Sequence, residues 1–540
     1  MKAPQSRTLG ELLFEQATRY TDAPAVICGD RVASYTALAN RAARIAAWLA
    51  GRGIGRGDRV GLLLNNRLEW VESFFGAAML GAEIVAFSTW SSRDELDYLI
   101  GDSGIAAMIT LDQFSGQDFA AILRALVPEA DAPGAWQSAR FPALREIVLL
   151  GEGGGEGWQA YGDVLSTAPL AALPAPGDGA SAADEAIIIY TSGSSSRPKS
   201  VPLPHYGIIE NGFNIGERQG YSPQDRVLLA PPLFWSYGSA NAMSATLTHG
   251  AALVLQGKFE PGEAIDLIER HRCTALYTLP AITSAITSHP NFRRERTQSL
   301  RTGLTIGAPQ DVIAAAEVLG AAEICNVYGQ TESFGNCCVT WHHWPLERRA
   351  RCQGPPLPGV TIRIAHPATG AALGPGEAGL IEVRGYIMRG YIGASADQTA
   401  DAMTADGYFR TGDMGLMTPA GEMQFIGRTT EMIKKGGINI SPAEVEDVLM
   451  RHPDVAQAGV VGVPDRLQGE LLAAYVLAKP GARPTRESLI AHCRAQASRY
   501  KVPDFIEFPD SLPVTVTGKL LRRELKKLAA GLAQSDQTNG

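Results

Sequence analysis

The sequence predicts an α/β protein. We expect a large N-terminal domain with layered α/β sheets and a small barrel-like β subdomain, followed by a small mobile α+β domain. As far as Glu332, short apolar runs alternate with segments of helical periodicity, which is typical of parallel strands joined by helices. From Gly354, short strands separated by Pro/Gly clusters indicate a largely antiparallel sheet. After Gly427, helices and strands alternate again in a unit of small-domain size.

Local signals place the N-terminal elements. Thr8 and Glu11 have the spacing of a capping box in front of an apolar-periodic helix. A second helix is predicted to stop at Gly51, and a third, Leu68–Leu80, to end at Gly81. The same alternation predicts strands Val60–Leu64, Ile84–Phe87, Ile105–Ile109, Glu146–Leu150, Ala186–Ile189, Val227–Pro231, Ala251–Leu255, Ala275–Thr278, Leu304–Ile306 and Glu323–Val327, with helices Asp94–Ile100 and Ala264–Arg270.

The domain boundary is predicted near Gly427-Arg428. We divide the chain into an N-terminal domain, 1–427, a C-terminal domain, 428–532, and a disordered tail, 533–540. Apart from one strand, the stretch from Pro128 to Asp184 is expected to form long surface loops, because it is rich in Ala, Gly and Pro. After residue 354 the predicted strands are Thr361–Ile364, Gly379–Val383, Glu422–Ile426, Ala456–Val463, Leu471–Ala478 and Phe505–Phe508, and the helices are Pro442–Arg451, Thr485–Arg499 and Lys519–Leu528.

The composition argues against several classes of protein. The 540 residues carry a net charge of −8 and no long basic run, so we expect no nucleic-acid partner. The N-terminal stretch lacks the apolar core of a signal peptide, and no stretch has the apolar length of a membrane span. Seven cysteines without a CxxC pair argue against a disulfide scaffold or a zinc site. We therefore expect a cytoplasmic protein without integral membrane contact, as a monomer or homodimer.

The most informative stretch is Tyr190–Lys199, with the sequence YTSGSSSRPK. It follows the predicted buried strand Ala186–Ile189 and ends in Pro198-Lys199. One interpretation is a flexible Gly/Ser linker. The other is an anion cradle, in which backbone N–H groups, hydroxyls and an ammonium converge on phosphate. The strand before the stretch and the Pro-Lys pair after it favour the cradle, because a linker needs neither.

Two further loops follow predicted strands: Gly307-Ala308-Pro309 and Tyr328–Glu332. Ligands of open α/β sheets bind at the carboxyl ends of strands. Together the three loops supply phosphate donors, an aromatic face for a base and a carboxylate for a cation. This set predicts a nucleotide site with Mg²⁺. It is not a Walker A site, because GxxxxGK[ST] is absent.

An aromatic segment, Pro232–Ala242, contains Phe234, Trp235 and Tyr237 beside Gly238. Aromatic side chains of this kind serve either as core packing or as the wall of an apolar ligand pocket. The segment alone leaves both interpretations open.

As an ordered set, these motifs resemble those of adenylate-forming enzymes: acyl-CoA synthetases, peptide-synthetase adenylation domains and luciferases. YTSGSSSRPKS resembles the family phosphate loop YTSGTTGxPKG, and YGQTE at Tyr328–Glu332 matches well. YFRTGD at Tyr408–Asp413, GRTTEMIKKGG at Gly427–Gly437 and PVTVTGKLLR at Pro513–Arg522 complete the order. The resemblance covers about Leu9 to Leu528. It implies a large N-terminal domain, a small mobile C-terminal domain and conversion of a carboxylate to an acyl-adenylate with ATP.

The resemblance also implies the site residues. The ATP-binding residues would be Thr191, Ser192, Gly193, Ser194, Ser195, Lys199, Gly307, Ala308, Pro309, Tyr328, Gly329, Gln330, Thr331, Asp413, Arg428 and Lys519. Of these, Lys519 would bridge the carboxylate and the α-phosphate, Thr331 would contact the α-phosphate, and Asp413 would bind the ribose hydroxyls. Lys519 and Thr331 would be catalytic together with Glu332. The Mg²⁺ site would use Glu332 and Thr191.

Substrate and coenzyme residues follow in the same way. The acid would lie near Trp235, Tyr237, Phe334 and Gly335, and the pantetheine arm of coenzyme A (CoA) would pass Gly436 and Gly437. Thr430 occupies the hinge position about which the C-terminal domain would rotate.

Five positions depart from the family pattern. Ser195-Ser196 replaces Thr-Gly, Ser200 replaces Gly, Thr430 stands at the hinge position where the family commonly has Asp or Lys, and Trp235 stands where many relatives have His. A serine at 196 costs free energy if the loop needs positive φ there, so weaker ATP binding is expected in that case.

The resemblance predicts a ligase that joins an apolar aryl, alicyclic or medium-chain acid to CoA, with ATP, Mg²⁺ and CoA as cosubstrates and cofactor. One alternative is a ligase that loads a carrier protein or stops at the adenylate. The other is a nucleotide-binding protein without turnover. Taken alone, Lys519 could be a solvated charge on the basic segment that follows it, so its assignment depends on the ordered motifs.

Overall fold

The computed structural model describes residues 2–175, 179–191, 198–435, 438–465, 468–497, 499–514 and 520–529. Its layered sheets confirm the predicted α/β class. No helix in these ranges is both long enough and apolar enough to cross a membrane.

The strands in chain order are β1 (Pro24–Cys28), β2 (Arg31–Ser34), β3 (Arg59–Leu63), β4 (Glu83–Ala86), β5 (Ala107–Leu111), β6 (Gln113–Phe114), β7 (Gln117–Asp118), β8 (Glu146–Leu150), β9 (Gln159–Ala160), β10 (Glu185–Thr191), β11 (Lys199–Pro204), β12 (Arg226–Leu229), β13 (Ala252–Leu255), β14 (Ala275–Tyr277), β15 (Thr302–Thr305), β16 (Cys325–Tyr328), β17 (Cys338–Val339), β18 (Thr361–Ala365), β19 (Gly379–Arg384), β20 (Phe409–Met417), β21 (Met423–Arg428), β22 (Ile433–Lys435), β23 (Ile438–Ile440), β24 (Val455–Asp465), β25 (Gly469–Ala478) and β26 (Phe505–Glu507).

The α-helices are α1 (Leu9–Tyr20), α2 (Tyr35–Gly51), α3 (Leu68–Leu80), α4 (Arg93–Ser103), α5 (Phe119–Leu126), α6 (Tyr161–Ser166), α7 (His205–Gln219), α8 (Ser244–Thr248), α9 (Pro261–His271), α10 (Pro280–Thr287), α11 (Pro309–Ile313), α12 (Leu346–Arg351), α13 (Thr399–Ala402), α14 (Pro442–Met450), α15 (Arg486–Gln496) and α16 (Arg522–Ala529).

Two large sheets organise the N-terminal part. The eight-stranded sheet has the order β17-β16-β15-β14-β12-β13-β1-β2, and its strands from β16 to β1 run parallel. The seven-stranded sheet has the order β11-β10-β4-β3-β5-β8-β9, with β11 antiparallel to β10 at one edge. Buried side chains of both sheets and of α1 to α3 form one continuous hydrophobic core.

The local signals read from the sequence act as predicted. Thr8 Oγ1 accepts from Glu11 N at 3.3 Å, and Glu11 Oε2 accepts from Thr8 N at 3.0 Å, which completes the capping box of α1. Helix α3 ends at Gly81, whose φ of 75° is left-handed and favours glycine.

Several helices and strands of this part were not predicted, among them α6, β11 and α7. The segment expected to form loops contains α6 in addition to β8, and the Tyr161 hydroxyl of α6 donates to the buried Glu72 Oε2 at 2.8 Å. Strand β11 and helix α7 follow the phosphate loop directly, in a stretch for which no strand or helix was predicted.

Two smaller sheets follow. Strands β18, β19, β20 and β21 form an antiparallel sheet in that order, as expected after residue 354. The last sheet has the order β23-β22-β25-β24, with β26 parallel to β25. The chain passes between these sheets after Arg428, next to the predicted boundary. The division at 427/428 remains a prediction, and the tail 533–540 lies outside the described residues.

Candidate active site

Loops from neighbouring strands meet at one edge of the eight-stranded sheet. Gly307–Pro309 follows β15, and Tyr328 is the last residue of β16, which pairs in parallel with β15. The aromatic segment follows β12 in the same sheet. The carboxyl ends of parallel strands lie at a common edge. The sheet therefore brings the predicted adenine loop, YGQTE and the aromatic segment together.

Asp413 is the centre of a hydrogen-bond network at this edge. It lies on β20 and is 3% exposed. Its Oδ2 accepts from the Tyr328 hydroxyl at 2.8 Å and from Gln330 Nε2 at 2.6 Å. Arg428 Nε lies 3.4 Å from Oδ1. The structure thus joins three predicted nucleotide residues around the carboxylate of a fourth.

The Tyr328 ring packs against a second aromatic side chain. It stacks on Phe425 of β21, with ring centroids 5.7 Å apart and planes 27° apart. Burial, with the nearby Asp413 carboxylate, raises the pKa of Tyr328 well above its usual value, so the hydroxyl remains a donor to Asp413.

The loop Gly307–Pro309 is fixed by Asp311. The Asp311 Oδ2 accepts from Ala308 N at 2.8 Å, and a Cβ at Gly307 would lie 2.5 Å from the same carboxylate. Burial raises the pKa of Asp311 to about 6, and Asp447 on α14 acts in the same direction.

We expect Asp311→Asn to stabilise the protein in a pH-dependent way. In the unfolded chain this carboxyl has a pKa of 3.8, whereas in the folded protein its pKa is about 6. Its ionisation therefore lowers the free energy of unfolding progressively between these two pH values, and by a constant amount at higher pH. Asparagine keeps an acceptor for Ala308 N–H and removes the charge. The free energy of unfolding should rise by about 2 kcal/mol at pH 7.5 and by less than about 1 kcal/mol at pH 4.5.

Urea unfolding at both pH values measures this difference. Asp118→Asn is the matched control, because the exposed Asp118 also accepts a backbone N–H, from Ala121 at 2.8 Å. An equal gain for Asp311→Asn at both pH values would show that the effect is not electrostatic.

The structure describes the two ends of the predicted phosphate loop, Thr191 and Lys199. Thr191 ends β10 directly opposite Lys199, the first residue of β11. The predicted ligands Ser192, Gly193, Ser194 and Ser195 lie outside the described residues. Lys199 Nζ lies 4.9 Å from the centroid of the Tyr391 ring. The Tyr391 hydroxyl donates to Glu332 Oε1 at 2.9 Å, so one tyrosine contacts the predicted phosphate lysine and the predicted metal carboxylate.

The YGQTE loop also contacts the aromatic segment. Thr331 Oγ1 and Ser236 Oγ lie 3.1 Å apart. Gly335 has φ 87°, and a Cβ there would lie 1.9 Å from Asn241 Nδ2, so the two segments approach too closely for a side chain. Gly329 is similarly restricted, since its Cβ would lie 2.4 Å from the Gly335 carbonyl oxygen.

The predicted substrate residues fall into two groups. Trp235 forms edge-to-face contacts with Trp90 and Phe234, with centroids 5.3 and 6.3 Å apart. Trp90 is 40% exposed and lies in the loop after β4. The aromatic cluster of Trp90, Phe234 and Trp235 therefore combines residues that follow two different strands. The Tyr237 hydroxyl donates to the carbonyls of Thr278 and Leu304, at 3.1 and 3.0 Å, which fixes the tyrosine against the ends of β14 and β15.

Phe334 packs elsewhere. Its ring is fully buried, lies against Gly207 of α7 and makes an edge contact with Tyr386 at 6.4 Å. Its neighbour Gly335, not its own ring, therefore borders the aromatic segment.

Three further predicted residues lie outside the described ranges: Lys519, Gly436 and Gly437. Thr430 is described in the turn between β21 and β22. Its role as a hinge remains a prediction.

Sequence reasoning missed four residues near the site: Trp90, Ser236, Asp311 and Tyr391. Asp311 carries a signal, because it has the N3 spacing of a capping residue for α11. The others contact residues distant in the sequence, and no local pattern indicates them.

Comparison with known proteins decides the family. The sequence matches the AMP-binding enzyme family over residues 13–392 and the AMP-binding enzyme C-terminal domain over residues 444–519. The chain belongs to the AMP-binding enzyme family. One relative that matches almost the whole chain is the mitochondrial medium-chain acyl-CoA ligase ACSF2 of Mus musculus. It is 31% identical, over 96% of this chain and 87% of that protein.

Two solved structures resemble this member of the AMP-binding family throughout. One is the anthranilate CoA ligase AuaEII in complex with anthranoyl-AMP, with a TM-score of 0.86 and 26% identity, covering 99% of this chain and all of that chain. The other is ATP-bound MatB from Rhodopseudomonas palustris, with a TM-score of 0.84 and 25% identity, covering 98% of this chain and all of that chain. These matches confirm the predicted superfamily, fold class and acid–thiol ligase class.

Proposed function

We propose that this AMP-binding enzyme joins a carboxylic acid to CoA, at the expense of ATP, through an acyl-adenylate. The observation that carries the proposal is the arrangement around YGQTE. The Asp413 network lies on one side, the Tyr391–Glu332–Lys199 contacts on another, and the aromatic segment reaches Thr331 through Ser236. Nucleotide, triphosphate and acid groups therefore have separate places around one loop.

In the first step, an oxygen of the acid carboxylate attacks the α-phosphorus of ATP. The bond from that phosphorus to the bridging oxygen of the β-phosphate breaks, and pyrophosphate leaves with the electron pair. Charge develops on phosphate oxygens, so fixed donors lower the barrier. We assign this work to Lys199 and the loop Ser192–Ser195 on the β- and γ-phosphates, to Thr331 on the α-phosphate, and to Lys519 between acid and phosphate.

Tyr328 with Gly307–Pro309 would hold adenine, while Asp413 and Arg428 would hold the ribose. A carboxylate that already accepts two hydrogen bonds is fixed in orientation before the nucleotide arrives, which reduces the entropy lost on binding.

The donor set fits Mg²⁺ brought in with ATP. Among the described residues, no group of three or more His, Cys, Asp or Glu side chains could hold a metal. Mg²⁺ often binds through one or two carboxylates plus substrate phosphates. Glu332, 8% exposed, and the Thr191 hydroxyl are oxygen donors of the required kind. When bound, the ion would neutralise charge on the triphosphate.

In the second step, the CoA sulfur attacks the acyl carbon, the thiol loses its proton, and AMP leaves with the electrons of the broken C–O bond. We propose that rotation about Thr430 brings Gly436 and Gly437 to the pantetheine arm. A single chain supplies the described site residues, which suits a monomer or a homodimer.

We propose an apolar acid as substrate: aryl, alicyclic or medium-chain. The wall formed by Trp90, Phe234 and Trp235 is aromatic, and neither the aromatic segment nor the Phe334–Gly335 segment contains a cation for a second carboxylate. A panel of acids of these three types, with dicarboxylic acids for comparison, tests this by CoA-dependent AMP release. Preference for a dicarboxylic acid would contradict the assignment.

We expect Trp235→Ala to change acid preference without changing ATP binding. Loss of a large apolar wall should lower kcat/KM for the best acid at least about tenfold and favour bulkier acids. The KM for ATP should stay near the wild-type value. Trp90→Ala should shift the acid preference in the same direction, because its ring contacts Trp235.

Trp344→Ala is the control, since Trp344 stacks on Arg348 at 3.7 Å and lies in a different part of the fold. An unchanged acid profile in both the Trp235 and Trp90 variants would place the acid elsewhere.

A further inference from the structure

A short segment that no sequence motif indicated is hydrogen-bonded to β11 and, through Asp102, to β10, the two strands that flank the phosphate loop. We call residues 391–395 the clasp turn. Ser200 N donates to Ser395 Oγ at 3.2 Å, and the two hydroxyls lie 2.8 Å apart. The Ser200 hydroxyl also contacts the carbonyl of Ile392. These contacts join the clasp turn to β11, just after Lys199.

The other strand of the phosphate loop is joined through Asp102. Its Oδ1 accepts from Ala394 N at 2.8 Å, and its Oδ2 accepts from the Tyr190 hydroxyl at 2.7 Å. Tyr190 precedes Thr191 at the end of β10. One carboxylate thus ties the clasp turn to the strand that enters the loop.

Tyr391 begins the clasp turn and points into the site. It is 6% exposed, its hydroxyl donates to Glu332 Oε1 at 2.9 Å, and its ring faces Lys199 Nζ at 4.9 Å. Among the described residues, no group donates to the other carboxylate oxygen of Glu332. A cation could therefore bind there without displacing the tyrosine.

Resting on the proposed function, we propose that Tyr391 is a positioning residue for the metal-bound triphosphate. It orients the Glu332 carboxylate with its hydroxyl and faces the Lys199 ammonium with its ring, and the clasp turn fixes both contacts to the phosphate loop. Partners that orient a metal ligand without touching the metal commonly set its affinity. The cation–π contact also keeps the ammonium from folding onto Glu332 before the triphosphate arrives.

The clasp turn gives Ser200 a role. The resembling family motif has glycine at this position, which has no hydroxyl to offer to Ser395 or Ile392. Serine is buried here and adds contacts between the two segments. The departure from the family pattern at position 200 is therefore compatible with an ordered site.

Tyr386, which precedes the clasp turn, provides a matched control. Its hydroxyl donates to a carboxylate, Glu210 Oε2, at 2.8 Å, but this contact lies against α7 and involves no proposed site residue. Tyr386→Phe and Tyr391→Phe thus remove the same group from the same kind of bond, five residues apart.

The test is calorimetric titration of each variant with a non-hydrolysable ATP analogue, over a range of Mg²⁺ concentrations and in EDTA. Tyr391→Phe should raise the Mg²⁺ concentration for half-maximal binding by roughly 10–100-fold, the usual cost of losing a partner of a metal ligand. Binding in EDTA should be unchanged, since the ring still faces Lys199. Tyr386→Phe should match wild type in both arms.

Tyr391→Leu removes the ring as well and should also weaken binding in EDTA. Thermal unfolding of each variant shows whether it is folded, and Tyr391→His keeps an aromatic ring with a donor if the phenylalanine variant unfolds. A wild-type Mg²⁺ dependence in Tyr391→Phe would overturn the proposal, as would an equal shift in Tyr386→Phe. Neither result would affect the ligase assignment, which fails if wild-type protein shows no acid-dependent reaction with ATP or if CoA leaves AMP release unchanged.

Discussion

Replacement of Lys519 by alanine should abolish adenylation, yet leave thioester formation from supplied acyl-adenylate largely intact. The assigned role of this ammonium is to stabilise charge between the acid and the α-phosphate, and that charge develops only in the first step. Loss of one charge-stabilising donor commonly costs about 10²–10³ in rate, and a bridging cation should cost at least as much. Acid-dependent pyrophosphate exchange measures the first step, and acyl-CoA formation from synthetic adenylate measures the second.

Lys527→Ala is the control for this variant. Lys527 lies on α16 and pairs with Glu524 at 2.8 Å, so the substitution removes the same charge from an exposed surface. The start of α16 is anchored, since Arg522 Nε lies 3.0 Å from Glu431 and Arg522 Nη2 donates to Glu446 Oε2 at 2.9 Å. A folded Lys519→Ala protein that lost both steps equally would contradict the assignment of Lys519 to adenylation alone.

Asp413→Asn should raise the KM for ATP by roughly 10–100-fold, because a charged acceptor for ribose hydroxyls becomes neutral. Asparagine keeps one oxygen for Tyr328 and Gln330, so the fold should tolerate the change. The sharper expectation concerns the sugar. Wild type should prefer ATP to 2′-deoxy-ATP, and the variant should lose most of that preference, as measured by kcat/KM for both nucleotides.

Asp406→Asn is the corresponding control. Asp406 accepts from Arg363 at 2.6 Å and is largely exposed, so the substitution removes a surface ion pair at small cost. If Asp413→Asn preferred ATP to 2′-deoxy-ATP as strongly as wild type does, the Asp413 carboxylate would not be the group that binds the ribose hydroxyls.

Much of the fold follows from local sequence. Capping at Thr8, the left-handed Gly81 and the apolar runs of β3, β10 and β14 depend on neighbours within a few residues, so the sequence displays them directly. The convergence of the loops after β15 and β16 also follows, because parallel neighbours end at the same edge.

Helix α7 shows why other parts of the fold cannot be predicted from local sequence. Its glycines at 207, 212 and 216 weaken a helix locally. In the structure a Cβ at any of them would lie 2.3 Å from a side-chain atom, of Phe334, Ser244 or His249. The glycines permit close packing with elements distant in the sequence, and that packing stabilises the helix. The signal for α7 is therefore tertiary.

The candidate site divides in the same way. Ordered motifs indicate Asp413, Tyr328 and Glu332, because each belongs to a recognisable segment. Tyr391 contacts Glu332, 59 residues earlier in the chain, and Lys199 at the start of β11. Nothing around Tyr391 in the sequence encodes either contact, so only the fold reveals it.

The central claim is tested most directly by following pyrophosphate, AMP and acyl-CoA with the preferred acid, in the absence and presence of CoA. Without CoA we predict a pyrophosphate burst of about one equivalent per enzyme, with AMP retained in the acyl-adenylate. With CoA we predict continuous AMP release, matched by an equal amount of acyl-CoA. AMP release that CoA leaves unchanged would contradict the account.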